Sequence, residues 1–455
     1  MSQRSSFLLA MVIVVVSAWP DGEAAAQAAG QVSAVPQSRN AIEEYNQAFD
    51  DLLKRPSDID ASFRFSALAA KLGYYEEAIT ALERLLVYNS DLPRLKYELG
   101  ILYYRLGSLE VARTYLAQAG SAADLPPDAQ QQIASSLKDI DRRNAVNRLN
   151  ATLATGLRYQ TNANASPSDP DVVAGGIPAT LSNQFVKRGD WNAFVIANLH
   201  DSYDLQLQNA MTLETDLQFY YAKQRRISAV DTGVAEVKSG PRFALEAGDD
   251  TIVTVEPYGT ASDVLLGDAQ DFYAVGGGVE LSRAITETVT AVGSYEARIK
   301  RFQDSTLQPK ATAMDSVVQA LSLNLRYLAW AKGSVETGAS VAREISRASF
   351  ASNDQLDLQL SYSQTIDLPA ALRLGPVVVT PALLRIYTKY DEPDPAVDPS
   401  ERRITREWRY LLSARVSIRD GLGADLQLMR QMVGASLPNF KYNNTSVTFG
   451  LDWNF

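Results

Sequence analysis

The stretch Tyr442–Phe455, YNNTSVTFGLDWNF, decides the fold, because apolar residues recur in it at every second position up to the end of the sequence. A period of two is that of a β-strand, whose side chains point alternately to opposite faces. The second face of this strand carries small or polar residues. Aromatic residues at the end of an apolar face, opposite a polar face, are typical of a strand between lipid and a water-filled lumen. An edge strand of a soluble sheet shows the same alternation, so the remaining sequence has to distinguish the two.

The end of this strand also resembles the terminal signal by which bacterial outer-membrane barrels are handed to their insertion machinery. The predicted assembly signal comprises apolar residues of the strand: Phe449, Leu451, Trp453 and Phe455. The partners expected for such a chain are therefore the barrel-insertion machinery and the lipid of the outer membrane.

The same alternation continues through residues 146–455 and predicts an antiparallel transmembrane β-barrel of about fourteen strands. Regular examples are MTLETDLQFYYA and VQALSLNLRYLA, and three less regular stretches lie at Val234–Leu245, Ile252–Val264 and Val377–Tyr390. Single-chain bacterial barrels have an even number of strands, and segments of roughly 10 to 15 residues are long enough to cross a bilayer at a tilt.

The links between the predicted strands alternate between long and short. Long polar links are predicted at residues 160–188, 225–232, 302–315 and 392–403, and short ones at 204, 247–250, 284–287, 331–333 and 420–423. Outer-membrane barrels have long external loops and short periplasmic turns. A soluble sandwich has no reason for this rhythm, so the links favour the barrel and place the preceding residues on the side of the short turns.

The inward face of the predicted barrel carries charges of both signs. The lumen residues predicted from the alternation are Glu214, Asp216, Glu280, Glu296, Arg298, Arg326, Glu336, Arg409 and Arg415. A barrel of this size encloses a bore wider than side chains alone would fill, so water or a plug is expected inside. Each charge has two interpretations, an ion pair that braces the wall or a contact to a transported client.

The start of the chain is typical of an exported protein. Arg4 precedes the apolar run Phe7–Trp19, and small residues follow, so residues 1–28 are predicted to be a signal peptide and residues 29–40 a linker. The apolar run is shorter than the roughly 20 residues that span a bilayer. The chain contains no cysteine, which excludes disulfides, a lipidated cysteine and a thiolate metal site. These features predict a bacterial outer-membrane protein with a periplasmic N-terminal domain.

Residues 41–145 show helical spacing and an internal repeat of about 34 residues, the period of tetratricopeptide repeats. The segments KLGYYEEAITAL and RLGSLEVARTYL align without gaps. Small Ala78 and Ala112 let two antiparallel helices approach closely, and Gly73 and Gly107 occupy the bends between helices. This region is predicted to be an α-solenoid, so that the whole chain has a two-domain α + β fold.

The first helices of such repeats line a concave groove. The predicted client-binding residues on that face are Phe63, Lys71, Arg94, Tyr97, Tyr104 and Arg105. Aromatic rings beside cations suit an extended peptide or a glycan. Tyr97 and Tyr104 have a second interpretation, because tyrosines on this face also pack between repeats.

No catalytic residue, cofactor or metal site is predicted. His200 lies two residues from Ser202 on one face of a strand, but no orienting carboxylate is recognised beside the pair, which favours a structural histidine. The acidic segment Asp391–Asp398 matches no metal-binding spacing. The net charge of -10 disfavours a nucleic-acid partner, because phosphates would be repelled.

Three segments resemble the surface lipoprotein assembly modulator family, in which tetratricopeptide repeats precede an outer-membrane barrel. They are the second repeat LGILYYRLGSLEVARTYL, the helix after Leu125-Pro126-Pro127 with Ile133, Leu137 and Ile140, and the end of the first strand at Tyr159–Asn164. The resemblance implies that the repeats receive a client in the periplasm and that the barrel passes it across or onto the outer membrane. The implied client is a surface lipoprotein or another secreted protein.

Two other functions fit the same order of parts. Exopolysaccharide export systems also join such repeats to a barrel, and a polysaccharide then replaces the protein client. A passive porin or an adhesin would use its repeats only to dock to an envelope complex. The gene neighbourhood distinguishes them, because a client gene favours protein secretion and a glycosyltransferase cluster favours polysaccharide export.

Overall fold

The computed structural model describes residues 39–455 except 90, 122–124, 144, 184, 208–210, 247–251, 268, 307 and 331. The predicted signal peptide, and all but the last two residues of the predicted linker, lie outside the described residues. The chain divides into two compact units between Arg148 and Leu149, one helical and one built of strands. Within the described residues, every helix is too short or too polar to span a bilayer.

The described part of the first unit forms six helices. They are α1 (Arg39–Lys54), α2 (Ile59–Lys71), α3 (Tyr75–Tyr88), α4 (Pro93–Leu106), α5 (Leu109–Gly120) and α6 (Pro127–Arg143). Asp58 caps α2, because its side chain accepts a hydrogen bond from the backbone N–H of Ala61 at 2.9 Å. Pro93 occupies the first turn of α4, where its missing N–H has no consequence.

The two glycines predicted at the bends have the same backbone conformation. Gly73 and Gly107 both have a φ of 84°, in the left-handed region that favours glycine. The N–H of Gly107 donates to the carbonyl of Tyr104 at 3.1 Å and closes the last turn of α4. The equivalent geometry in both repeats confirms the tetratricopeptide-like organisation.

Small residues lie where the helices approach one another. Ala78 and Ala112 are fully buried, as the repeat pattern predicts. They belong to two apolar clusters, one containing Leu82, Leu85, Leu95 and Leu99 and the other Leu116, Ile133 and Ile140. The second cluster includes residues of α6, so this final helix is part of the helical core. Burial of apolar area, worth about 25 cal/mol per Å², stabilises the stacking of the helices.

The second unit is a closed barrel of fourteen antiparallel strands. Its strands are β1 (Asn147–Gln160), β4 (Asp190–Asp204), β5 (Thr212–Gln224), β6 (Thr232–Glu246), β7 (Ile252–Leu266), β8 (Ala269–Thr286), β9 (Val289–Phe302), β10 (Ser316–Trp330), β11 (Gly333–Ser346), β12 (Asn353–Ile366), β13 (Val377–Tyr390), β14 (Ile404–Arg419), β15 (Leu422–Ala435) and β16 (Tyr442–Asn454). The predicted strand number is therefore confirmed. A separate hairpin, β2 (Asp171–Ala174) and β3 (Ile177–Thr180), lies in the link after β1 and is too short to show a sequence period.

The C-terminal strand closes the barrel. Strand β16 pairs with both β15 and β1, and Leu157 lies opposite Phe449 in the second pairing. Beyond the strand, the N–H of Phe455 donates to the carbonyl of Ala151 at 2.9 Å. Phe449 and Phe455 are 56% and 76% exposed on the outer face, whereas Asp452 on the inner face is fully buried. The strand thus separates an apolar exterior from a polar interior, as a bilayer requires.

The predicted rhythm of long and short links is correct in outline. Long links occur at one end of the barrel at residues 161–189, 303–315 and 391–403, and tight turns occur at the other end at 287–288 and 420–421. Three links differ. Only residues 267–268 separate β7 from β8 at the long-link end, and residues 205–211 separate β4 from β5, where a short turn at 204 is predicted. The link at residues 367–376 is also longer than the short turns at this end of the barrel. Pro369 and Pro376 lie in it and supply no N–H for strand pairing.

Replacement of Phe449 by arginine is expected to impair barrel assembly, because a cation on the lipid-facing side costs about 2–4 kcal/mol near the bilayer midplane. Phe449→Leu keeps the position apolar and is the matched control. Assembly is measured by recovery in the outer-membrane fraction and by heat-modifiable migration on gels. Equal recovery of the two variants would contradict the lipid-facing position of Phe449.

Candidate functional site

The predicted groove residues lie on α2 and α4, the first helices of consecutive repeats. Arg94 lies over the ring of Phe63, with its guanidinium carbon 4.6 Å from the ring centroid, which is a cation–π contact between the two helices. Lys71 and Arg105 occupy equivalent positions near the ends of α2 and α4, and both are exposed. Among the described residues neither forms an ion pair. This face therefore presents two cations that a ligand can contact.

Tyr97 and Tyr104 contact α6 as well as the groove face. The hydroxyl of Tyr97 donates to Oε1 of Gln132 at 2.7 Å, and that of Tyr104 donates to Oδ2 of Asp139 at 2.5 Å. Both rings pack against the apolar cluster that contains Ile133. Burial raises the pKa of the Tyr97 hydroxyl, and the charge of a neighbouring glutamate adds to this effect. These contacts correspond to the interpretation in which the tyrosines pack between repeats.

Sequence reasoning missed an acidic residue beside the groove cations. Burial raises the pKa of the Glu98 carboxyl group, while the charges of Arg94 and Arg105 lower it. Glu98 follows Arg94 by one helical turn, a spacing at which opposite charges on a helix interact. That spacing in the sequence could have identified Glu98, which is half-buried and limits the net positive charge of this face.

Each predicted lumen residue contacts an ionisable side chain inside the barrel, and the contacts of Glu214 and Asp216 with His200 are ion pairs only when the histidine is protonated. Glu214 and Asp216 pair with His200, Glu280 with Lys238, Glu296 with Arg298, Arg326 with Glu336, Arg409 with Glu407, and Arg415 with Asp452. Pairing offsets the desolvation cost of those charges that are buried in the wall. The contacts agree with the interpretation in which these charges brace the wall.

One of these pairs, which has a fully buried carboxylate, joins β14 to β16. Nε of Arg415 donates to Oδ1 of Asp452 at 3.1 Å, and Nη2 contacts the other carboxylate oxygen. The Asp452 side chain is 1% exposed, whereas Arg326 and Glu336 are 37% and 41% exposed. Asp425 of the intervening strand contributes a second carboxylate, whose Oδ2 is buried without a hydrogen-bond partner among the described residues. Arg415 therefore compensates negative charge at the point where the barrel closes.

Sequence reasoning missed the partners that lie on β6 and β7. Lys238 contacts Glu256 at 2.8 Å, and its Nζ lies 4.3 Å from the ring centroid of Tyr258. Proline interrupts both strands, at Pro241 and Pro257, and makes their alternation less regular. Counting positions from the regular strands on either side could have assigned these residues to the inner face.

The structure corrects the expectation that no carboxylate accompanies His200. Oδ1 of Asp216 lies 2.7 Å from Nδ1, and Oε2 of Glu214 lies 3.3 Å from Nε2. The hydroxyl of Ser202 donates to Glu214 at 3.0 Å. These carboxylates belong to the next strand and oppose His200 and Ser202 only through the register of β4 and β5, which is why the local pattern did not reveal them. The result is a hydrogen-bonded polar cluster on the inner face.

The long links hold one another at their end of the barrel. The N–H of Gly175, in the hairpin β2–β3, donates to the carbonyl of Ala396 at 3.0 Å. Asn439 exchanges two hydrogen bonds with the backbone of Val173, at 3.0 and 2.8 Å. The first long link is therefore attached both to the link after β13 and to the link after β15.

The carboxylates of the acidic segment Asp391–Asp398 form contacts that stabilise this loop structure. A hydrogen bond from Arg343 at 2.7 Å holds the pKa of the Asp391 carboxyl group below its usual range. Asp394 accepts a hydrogen bond from the N–H of Ala396 at 2.9 Å. No cluster of His, Asp and Glu side chains within the described residues has the geometry of a metal site.

The closed barrel with an apolar outer face supports a location in the bacterial outer membrane, because closure pairs every strand and leaves no edge in lipid. Neither a family model nor a curated protein matches the chain. Similar folds occur in solved structures of channels, porins and chaperones.

The barrel is similar to a bacterial polysaccharide outer membrane secretin, with 11% identity, coverage of 69% of this chain and 100% of that chain, and a TM-score of 0.34. It is similar to an anion-selective porin from Comamonas acidovorans, with 9% identity, coverage of 68% and 99%, and a TM-score of 0.34. The helical unit is similar to the Yersinia enterocolitica type III secretion chaperone SycD in complex with a peptide of the translocator YopD, with 17% identity, coverage of 24% and 98%, and a TM-score of 0.20.

Loss of the Arg415 charge is expected to destabilise the barrel strongly. Arg415→Gln leaves Asp452 as a buried charge without compensation, a change that costs about 3–5 kcal/mol. Arg326→Gln is the matched control, because its pair with Glu336 is partly exposed and such pairs contribute about 0–1 kcal/mol. Urea unfolding of the protein in lipid vesicles, followed by tryptophan fluorescence, measures both. If the two variants had similar midpoints of urea unfolding, burial would not determine how much these pairs contribute to the free energy of unfolding.

Proposed function

We propose that this chain is an outer-membrane secretion or assembly protein. Its periplasmic repeats bind a client, and its barrel passes that client across or onto the outer membrane. The proposal rests on the groove face of α2 and α4, where Arg94 covers the ring of Phe63 and where Lys71 and Arg105 are exposed at equivalent positions. The resemblance in order of parts to surface lipoprotein assembly modulators supports a surface lipoprotein or another secreted protein as the client.

The chemistry of the groove favours a protein segment that carries acidic and aromatic side chains. Exposed Lys71 and Arg105 can each pair with a carboxylate, and the Phe63 ring offers an apolar contact beside a cation. The alternatives of exopolysaccharide export and of a porin or adhesin docked by its repeats use the same architecture. They differ from the proposed function in one respect: neither alternative requires the groove to bind a protein segment.

The inner face of the barrel takes a supporting role in this proposal. Its charges pair with one another, as in the contact of Arg298 with Glu236 at 2.6 Å, and stabilise the wall. Selection of the client is therefore assigned to the repeats and passage to the barrel. The predicted assembly signal, Phe449, Leu451, Trp453 and Phe455, remains the proposed contact with the insertion machinery.

The proposed orientation can be measured by cysteine labelling, because the natural chain contains no cysteine. Glu401→Cys lies in a long link and Glu287→Cys in a tight turn at the opposite end of the barrel, and both positions are exposed. A membrane-impermeant maleimide applied to intact cells is expected to label the first variant only. Lysed cells provide the control, in which both cysteines react. Labelling of Glu287→Cys alone on intact cells would reverse the topology and remove the periplasmic role of the repeats.

Reversal of the groove charges is expected to reduce client export. Lys71→Glu combined with Arg105→Glu replaces two attractive contacts by repulsion, and a loss of about 1.4 kcal/mol already lowers affinity tenfold. Lys54→Glu combined with Arg84→Glu makes the same charge change at exposed positions of α1 and α3, which do not carry the predicted groove residues. The readout is the amount of protein that reaches the cell surface or the medium only in strains that contain this chain, and circular dichroism verifies that the helices stay folded.

Export at the wild-type level by the folded groove variant would exclude the groove from the mechanism. The repeats would then be a docking platform, and the porin or adhesin would become the better description. Polysaccharide at the cell surface, measured in the same strains, distinguishes the remaining alternative, because its loss in the groove variant would identify a glycan as the client.

A further inference from the structure

A group of cations and aromatic rings lies on the outer face of β13, β14 and β15, near the long-link end. The cations are Arg385, Lys389, Arg406 and Arg430, and the rings are Tyr387, Trp408 and Tyr410; together they are called the basic-aromatic patch. The residues between them along each strand, including Ile386, Glu407 and Met429, are buried. Since successive side chains of a strand point to opposite faces, the patch faces away from the lumen.

Strand register brings the members of the patch together. Arg385 lies opposite Trp408, and Tyr387 lies opposite Arg406, in the pairing of β13 with β14. Side chains opposite each other have Cβ atoms about 4.5–5.5 Å apart, and diagonal neighbours such as Arg385 and Arg406 are about 7–8 Å apart. Two guanidinium groups on adjacent strands can therefore contact one anion that has several oxygen atoms.

Arg385, Arg406 and Arg430 form no ion pair with a carboxylate among the described residues, whereas the charge of Lys389 acts on the nearby carboxylate of Asp391. Arg385 and Arg406 lie over Trp408 and Tyr387, with the guanidinium carbons 4.5 and 5.9 Å from the ring centroids. Arg430 donates to the hydroxyl of Thr445 at 2.6 Å. This differs from the inner face, where each predicted lumen charge is paired. A cation on the lipid side is costly unless it reaches an anion or the headgroup region.

The position of the patch indicates which class of partner can bind to it. Leu412 and Leu428, two positions farther along β14 and β15, are each 45% exposed on the same outer face. The patch is thus continuous with the apolar surface that contacts lipid chains, where a soluble protein or nucleic acid has no access. Aromatic rings of barrels lie at the level of the headgroups, where Lys and Arg attract anionic lipid.

We propose that the basic-aromatic patch binds the phosphate-bearing headgroup of a membrane lipid in the leaflet at the long-link end. Guanidinium groups bind phosphate oxygens through paired hydrogen bonds, and the stacked rings hold Arg385 and Arg406 in place for this contact. The side chains of Arg385 and Arg430 start farther from the strand ends than those of Lys389 and Arg406, and they are long enough to reach the headgroups. The site is independent of the client and of the groove on the repeats.

The test titrates the purified full-length chain in detergent micelles with lipid A that carries two phosphates and counts bound lipid by native mass spectrometry. The variant Arg385→Gln/Arg406→Gln is expected to bind about tenfold more weakly or worse, because each cation near the membrane surface contributes about 1 kcal/mol to anionic lipid binding. Arg373→Gln/Arg419→Gln is the matched control, with two exposed arginines at the short-turn end, and is expected to retain wild-type binding.

Dephosphorylated lipid A has the same acyl chains and is expected to bind the wild type as weakly as lipid A binds the patch variant. Equal binding of both lipids to the wild type, or equal loss in the two arginine variants, would overturn the proposal. Displacement of lipid A by an equal concentration of inorganic phosphate would assign the patch to a soluble anion and would also overturn it. Heat-modifiable migration of every variant verifies that the barrel is intact.

Discussion

A bilayer provides no hydrogen-bond partner for backbone N–H and C=O groups, and each unpaired group costs several kcal/mol there. A sheet can cross it only when its last strand pairs with its first. In this chain that pairing joins β1 to β16, with Gly156 opposite Gly450 and Leu157 opposite Phe449. The residues of β16 therefore both close the barrel and contact lipid. The other strands can cross the bilayer only because the pairing of β16 with β1 leaves no unpaired edge.

Closure also determines how charges are used on the two faces of the wall. On the inner face each predicted lumen residue has an ionisable partner, as Arg298 has in Glu236 and Glu296, and pairing offsets the desolvation cost where the side chains are buried. An outward side chain meets lipid, and the cations there have aromatic or hydroxyl neighbours in place of carboxylates. Paired charges stiffen the wall, whereas the outward cations are available to the headgroups around it.

The helical unit follows a different physical rule. Its stability comes from apolar clusters between neighbouring helices, around residues such as Ala78 and Ala112. The polar side chains of the first helices lie outside these clusters, so the stacking of the helices does not require particular residues there. Tyr97 shows the limit of that freedom, because its hydroxyl bonds to Gln132 while its ring packs on the apolar cluster. Within the described residues, Lys71 and Arg105 form no ion pair, and they are the groove residues best suited to an external ligand.

The sequence by itself determined the strand number, the two faces of the last strand, the repeat period and the positions of Gly73 and Gly107. Each of these features depends on residues close to one another in the chain, through a period of two, a helical spacing or a backbone conformation that favours glycine. The same alternation assigned Arg409 and Arg415 to the inner face. When one face of a strand is apolar and contacts lipid, the residues between the apolar ones must point to the lumen.

Only the tertiary structure decided which residues meet. Asp216 and Glu214 reach His200, and Asp452 reaches Arg415, through the register of strands and the curvature of the barrel. The contact of Tyr104 with Asp139 likewise depends on the stacking of α6 on α4. A local pattern shows which face a side chain occupies, but a partner is set by alignment between segments that are distant in the chain, and no single segment encodes that alignment.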